Sequence, residues 1–203
     1  MAVTGPLACG KSAFVKRLGS SGAETVSSDE IVHDLLASDP ETIAVVARRF
    51  GEGVRAHGGG IDRKALGREV FGDAEALQDL ENILHPRVHE ETDRRAAASG
   101  ADLFVAEIPL LFEGGGSDRF DLTVAITAPE ERCRAWVEER GMSEEQVRAI
   151  EARQLSSEEK ARRADVVVQN DGDLGKLEEQ ARVLVGQVLR QRGSGGEEGA
   201  GEA

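Results

Sequence analysis

The chain has 203 residues, 39% apolar and 31% charged, the make-up of a soluble globular protein with one core and room for small insertions. Its net charge of −13 opposes a nucleic-acid backbone as partner, but a few local cations could still govern a pocket for a phosphate-bearing small molecule. No run approaches the roughly 20 apolar residues of a membrane span, no basic-then-apolar leader opens the chain, and Cys9 and Cys133 lack metal-type spacing, so they read as free thiols in a reducing cytoplasm.

In chain order, Met1 to Thr4 is a short apolar strand that runs into a Gly-rich turn and then a helix from Lys11 to Leu18. Glu24 to Ser28 reads as a second strand, followed by a helix from Asp29 to Leu36 with Ser28 or Asp29 as its cap. Asp39 caps a further helix with Pro40 at its first position, and Ile43, Val46, Ala47 and Phe50 follow at helical spacing. His57 to Gly60 breaks the chain. Asp62 to Ala98 is then helical, broken at Pro86 and again near Gly72-Asp73.

Leu103 to Ile108, Leu122 to Ile126 and Asp165 to Val168 are apolar runs of the kind that fill a buried parallel sheet. Between the last two lie helices with capping boxes at Ser143-x-x-Gln146 and Ser156-x-x-Glu159. Asp173 caps a last helix reaching about Leu189, and the Gly, Ser, Glu and Ala tail from Gly193 to Ala203 is expected to be disordered. Strands alternating with helices give an α/β fold in three layers, with a parallel sheet of about five strands.

Gly5-Pro-Leu-Ala-Cys-Gly10-Lys11-Ser12 matches G-x-x-x-x-G-K-[ST] and sits where that motif must, after a strand and at the start of a helix. Backbone N–H groups of such a loop converge on phosphates, and the helix N-terminus adds its dipole. Gly5, Ala8, Cys9, Gly10, Lys11, Ser12 and Ala13 are therefore the candidates for ATP. Lys11 reaches the β and γ phosphates and the Ser12 hydroxyl ligates Mg²⁺. Pro6 removes one loop donor and stiffens the loop. The D-x-x-G and N-K-x-D patterns of a GTP-dependent switch are absent. Small size, one phosphate loop and helical insertions favour a small-molecule kinase, and the set of Lys11, Ser12, Asp29 and the arginines sets it ahead of a non-catalytic ATP-binding regulator.

Four segments carry a family resemblance. Val26-Ser-Ser-Asp29-Glu-Ile-Val-His33, the stretch Arg63 to Phe71 with Leu80 to Val88 (including His85-Pro86-Arg87), Ile108-Pro109-Leu110-Leu111-Phe112-Glu113, and Ala164 to Gly172 follow one another as in the dephospho-CoA kinases, which the chain resembles over almost its whole length. That resemblance implies transfer of the ATP γ-phosphoryl group to the 3′-hydroxyl of dephospho-CoA, with Mg²⁺. It implies a nucleotide-binding core over 1–60, 101–130 and 161–192, an acceptor-binding helical insertion over 61–100, a lid over 131–160, and a monomer or weak homo-oligomer. Another small-molecule or nucleoside-monophosphate kinase would share the loop and differ in the acceptor.

By the same resemblance Asp29 orients the acceptor hydroxyl and takes its proton, against a plain helix cap. His33, His85, Arg87, Pro109, Leu110, Leu111 and Phe112 line the acceptor site, against a helix break at His85-Pro86 and core packing at the strand end. Arg140 clamps the phosphates from the lid. Its spacing to Gly141 is one residue short of the family pattern, so Arg134 and Arg132 stay open beside it, as does a solvated helix face. Backbone around Asn170 to Gly172 meets the adenine, against an ordinary Asn-Asp-Gly turn. Glu107, inside an apolar run, needs a partner, for which Lys11 or the Mg²⁺ shell is the expectation.

Overall fold

The computed structural model describes residues 1–195, with side chains through residue 191. The chain forms two compact units, one from Met1–Thr25 with Ser99 onward and one from Val26–Ala98.

The first unit is built on β1 (Ala2–Thr4), whose three residues are each fully buried. The loop after it leads into α1 (Lys11–Ser20), and β2 (Glu24–Ser27) carries the chain from the first unit into the second. In the second unit follow α2 (Ser28–Ser38), α3 (Pro40–Phe50), α4 (Arg63–Val70) and α5 (Ala74–Ala98). The first unit resumes with β3 (Phe104–Glu107), β4 (Thr123–Thr127), α6 (Glu130–Glu139), α7 (Glu144–Glu151), α8 (Ser157–Arg163), β5 (Val166–Gln169) and α9 (Leu174–Gly195).

The five-stranded sheet has the order β2-β3-β1-β4-β5. β1 pairs in parallel with β3, Val3 against Glu107, and with β4, Val3 against Val124; β4 pairs in parallel with β5, Val124 against Val166. A central strand needs apolar residues on both faces, which is why β1, β3 and β4 read as largely apolar runs, with Glu107 closing β3. Phe14 and Leu18 of α1 pack with Leu177, Ala181 and Leu184 of α9 and with Val3, Val105, Val124 and Ile126 of the sheet. Asp165 ties the start of β5 to β4. One carboxylate oxygen accepts from both the backbone N–H and the hydroxyl of Thr123, each at 2.7 Å, and these bonds hold the carboxyl below the usual range.

The second unit is a helical cluster around Leu36, Ile43, Val46, Val54, Ile61, Leu66 and Leu84. Asp39 caps α3 by accepting from Thr42 at 2.7 Å, with Pro40 in the first turn, as the sequence implies. Two expectations are corrected. The cap of α2 is Ser27, whose hydroxyl accepts from the Asp29 N–H at 3.3 Å, rather than Ser28 or Asp29. Pro86 does not break the helix either: α5 runs through it without interruption, and the break falls at Phe71–Asp73, where Asp73 caps the new helix through Glu75 and Ala76. A proline removes one helical hydrogen bond and disfavours the helical conformation of the residue before it. Here tertiary packing outweighs that cost, because Leu84, Val88 and Thr92 are all buried and α5 packs against α2, α3 and α4. The Arg87 side chain also donates to the Ile83 carbonyl at 2.9 Å, adding a bond next to the missing one.

The last helix passes Leu189 and continues through Gly195. The disorder expected of the tail lies, beyond that residue, outside the described residues. Both capping-box bonds form at Ser143 and Gln146, while at Ser156 the hydroxyl accepts from the Glu159 N–H. Cys9 is buried, Cys133 half-buried, and both are free.

Phe14→Ala would remove a side chain with no exposed surface and should cost about 3–5 kcal/mol, read by denaturant unfolding. A second outcome concerns pH. Hydrogen bonds from Arg94 and Arg95 hold the Glu91 carboxyl at about 2, below its ordinary 4.5. A depressed carboxylate stabilises the fold above its unfolded value and loses that contribution as pH falls toward the folded one. The melting temperature of Glu91→Gln should therefore fall less steeply than wild type between about pH 4.5 and 2.

Candidate active site

The order β2-β3-β1-β4-β5 makes the gap between β1 and β3 the point where successive connections diverge, and ligands of parallel sheets collect outside the strand ends there. The loop of Gly5 to Ser12 leaves β1 at that end. Its shape is forced by close contacts. A Cβ on Gly5 would stand 2.4 Å from the Ile126 carbonyl oxygen and 2.7 Å from Cys9 Sγ; one on Gly10, which has φ +93°, would stand 2.2 Å from Asn170 Nδ2. Ala8 is left-handed with φ 56°, a strained conformation of the sort held at functional loops.

Asn170, 3% exposed, lies just past the end of β5 and fastens this loop. Its Nδ2 donates to the Cys9 carbonyl at 3.0 Å, and its Oδ1 accepts from the Gly172 N–H at 3.1 Å. The side chain is thus engaged in the loop, which leaves backbone as what this turn can offer a ligand. Gly172 has φ +91°, and the Arg132 guanidinium lies over it, 2.0 Å from where a Cβ would be.

Gly10 is the N-cap of α1 and brings no side-chain oxygen, whereas α2, α3, α4, α7 and α8 are all closed by a side chain. The first amides of α1 are therefore left for an anion. Lys11 Nζ donates to the carbonyls of Gly5 at 3.0 Å and Pro6 at 2.7 Å, folded over the loop it serves. The Ser12 hydroxyl donates to Glu107 Oε1 at 2.8 Å, at the end of β3. Glu107 so finds its partner in Ser12 rather than in Lys11. Burial pushes the Cys9 thiol up.

Of the three arginines expected to clamp phosphates, Arg134 pairs with Glu130, and Arg132 lies against Gly172. Arg140 is the C-cap of α6, exposed, with its side chain unpaired among the described residues. At the end of β3, Leu111 is 1% exposed while Pro109, Leu110 and Phe112 are half-buried. Glu113 turns to Lys160, 2.9 Å away, and to the Leu155 N–H at 2.7 Å.

In the second unit, Asp29 sits in the first turn of α2, exposed, and its carboxylate is unpaired among the described residues. His33 follows four residues later on the same helical face, with its Nδ1 3.3 Å from Nη1 of Arg63. His85 is half-buried in α5 and its ring stacks on His89 at 6.5 Å between centroids; burial draws its pKa down. The structure brings Asp29, His33 and Arg63 onto neighbouring helices and leaves Arg87 turned back on its own helix. Arg63, Gln154 and Lys160 escaped the sequence reading. Arg63 lay inside the quoted family motif and its place beside His33 required a fold. Lys160 lies in a highly charged helix whose composition gives no sign that one cation has zero exposure.

The family model described as dephospho-CoA kinase matches residues 1–176. Curated relatives include the dephospho-CoA kinases of Protochlamydia amoebophila, 37% identical with 91% of this chain and 93% of that one covered, and of Mesorhizobium japonicum, 37% identical with 96% and 98% covered. Among solved structures, TT1252 from Thermus thermophilus superposes with a TM-score of 0.78 at 34% identity over 92% of this chain and 95% of that one. The dephospho-CoA kinase from Campylobacter jejuni gives 0.68 at 28% identity over 94% and 97%.

Gly10→Ala combines a left-handed backbone with a contact against Asn170. It should weaken ATP binding at least about tenfold, given that such strain costs on the order of 1–3 kcal/mol, as read by equilibrium titration with an ATP analogue.

Proposed function

The chain belongs to the dephospho-CoA kinase family, and from that membership we propose how its residues share the transfer of a phosphoryl group from ATP to dephospho-CoA. The fold is that of a P-loop kinase, and the products are CoA and ADP. The acceptor atom is the 3′-hydroxyl of the ribose.

The loop amides and the uncapped start of α1 receive the ATP phosphates. Lys11 moves from the loop carbonyls to the β and γ oxygens and neutralises the charge that builds there. Hard oxygen donors suit Mg²⁺, which takes one or two protein oxygens and completes its octahedron with phosphates and waters. The Ser12 hydroxyl and the Glu107 carboxylate, 2.8 Å apart at the mouth of the loop, fit that demand. Ser12 would hold the ion, and Glu107 would orient the Ser12 hydroxyl and add negative charge beside it. Held there, the ion would supply charge neutralisation at the terminal phosphates. Backbone of Asn170 to Gly172 meets the adenine, while the Asn170 side chain keeps the loop in shape. Arg140 closes on the phosphates from the lid.

Asp29 is the acceptor's base. The observation that carries this is the capping of α2 by Ser27, which leaves the Asp29 carboxylate without a structural duty among the described residues. His33, with Arg63 beside it, supplies polar contacts on the same face. His85, Pro109, Leu110 and Phe112 add acceptor contacts over buried Leu111, and Arg87 joins them by leaving the Ile83 carbonyl. The segments 61–100 and 131–160 act as acceptor domain and lid. The enzyme works in the cytoplasm as a monomer or weak homo-oligomer without nucleic acid, in keeping with its net charge of −13 and with the lack of any described helix long and apolar enough to cross a membrane.

Asp29→Asn should bind ATP normally and lose at least about a hundredfold in turnover with dephospho-CoA, the usual contribution of a positioned base. Turnover within a few fold of wild type would return Asp29 to a surface role. Glu107→Gln should keep its bond to Ser12 and raise the Mg²⁺ concentration needed for half-maximal rate. An unchanged Mg²⁺ dependence would remove Glu107 from the metal's surroundings.

A further inference from the structure

Gln154 lies in the connection between α7 and α8, far from the phosphate loop in sequence, yet its Oε1 accepts from the Leu7 N–H at 3.0 Å. The same peptide unit is held at its other end, because the Pro6 carbonyl receives Lys11 Nζ at 2.7 Å. A peptide group is planar, so fixing its N–H fixes the direction of its carbonyl. Pro6 also has its φ locked by the ring. The remaining freedom of this peptide is rotation about the Cα–C bond of Pro6, and Gln154 is placed to arrest it.

Gln154 is itself anchored. The next residue, Leu155, donates its N–H to Glu113 Oε1 at 2.7 Å. Glu113 is paired at 2.9 Å with Lys160, whose side chain has no exposure. Lys160 Nζ also donates to the Pro109 carbonyl at 2.6 Å, and that same carbonyl accepts from the Thr4 hydroxyl at 3.2 Å. Thr4 is the last residue of β1, immediately before the loop. The chain of contacts leaves β1, passes through Pro109, Lys160, Glu113 and Leu155, and returns to the loop at Leu7.

We propose that Gln154 is a positioning residue for Lys11: by holding the Pro6–Leu7 peptide it sets the carbonyl against which Lys11 rests, and so the place from which the ammonium reaches the terminal phosphates of ATP. This rests on the proposed role of Lys11. It also makes the segment between α7 and α8 part of the nucleotide site without contact to the nucleotide.

The test is a double-mutant cycle on the affinity of a fluorescent ATP analogue with Mg²⁺, measured on the full chain. Gln154→Met keeps the length of the side chain and removes the acceptor, and Gln154→Ala removes both. Each should weaken binding about tenfold in the wild-type background, the size of one hydrogen bond. In a Lys11→Met background the further loss should be less than about twofold, since the residue acts through Lys11. Gln154→Met should melt within about 4 °C of wild type, because the side chain is half-buried and one bond is lost. A tenfold loss in both backgrounds, or no loss in the wild-type background, would overturn the proposal, as would a fall in melting temperature large enough to explain the loss. The assay needs no acceptor, so its failure leaves phosphorylation of dephospho-CoA untouched. A wild-type chain that bound no ATP would bring down both.

Discussion

A strand of three residues with no exposed surface carries the proposed nucleotide loop. Ala2, Val3 and Thr4 are held between β3 and β4 by parallel pairing on both sides, so the chain emerges from the sheet at one fixed point and in one direction. The next residue has no freedom to spread, since Gly5 lies against the Ile126 carbonyl and Cys9. The loop is therefore shaped by the sheet before any ligand arrives, which is what a site that works by fixed dipoles requires. Its donors are bare by construction: Gly10 gives α1 no capping oxygen, and Lys11 is parked on carbonyls it can leave.

Around that point the neighbours divide the work of holding it. β3 brings Glu107 to Ser12, the turn after β5 brings Asn170 to Cys9, and the connection before α8 brings Gln154 to Leu7. Three separate parts of the chain thus each take one bond on a loop of eight residues. Net charge does not predict this pocket. The protein is strongly acidic as a whole, and the proposed phosphate site rests instead on backbone amides and a few local cations.

The loop was legible from sequence because its chemistry is local: spacing, strand before and helix after are all contained in a dozen residues. The caps at Asp39, Ser143 and Asp173 were legible for the same reason. The readings that missed had local rules overruled by distant contacts. Pro86 should have ended a helix, but buried Leu84 and Val88 on the same segment keep it in register. Ser28 and Asp29 were both good caps by type, and the choice of Ser27 depended on where β2 stops, a boundary that composition does not define. Glu107 was recognised as needing a partner, yet which one lay with strand order. Gln154 and Lys160 had no signal at all, since a polar residue in a charged stretch looks the same whether it faces water or the core.

The Lys160–Glu113 pair carries a consequence for how this sequence can drift. Replacing either member alone leaves its partner a poorly compensated charge, a loss of roughly 3–5 kcal/mol, and an apolar exchange of both takes Glu113 from the Leu155 N–H and Lys160 from the Pro109 carbonyl. Each single change thus loses stability, and the double apolar change also gives up what holds the segment between α7 and α8. The two positions, well separated along the gene product, should behave through time as a single character that changes together or stays.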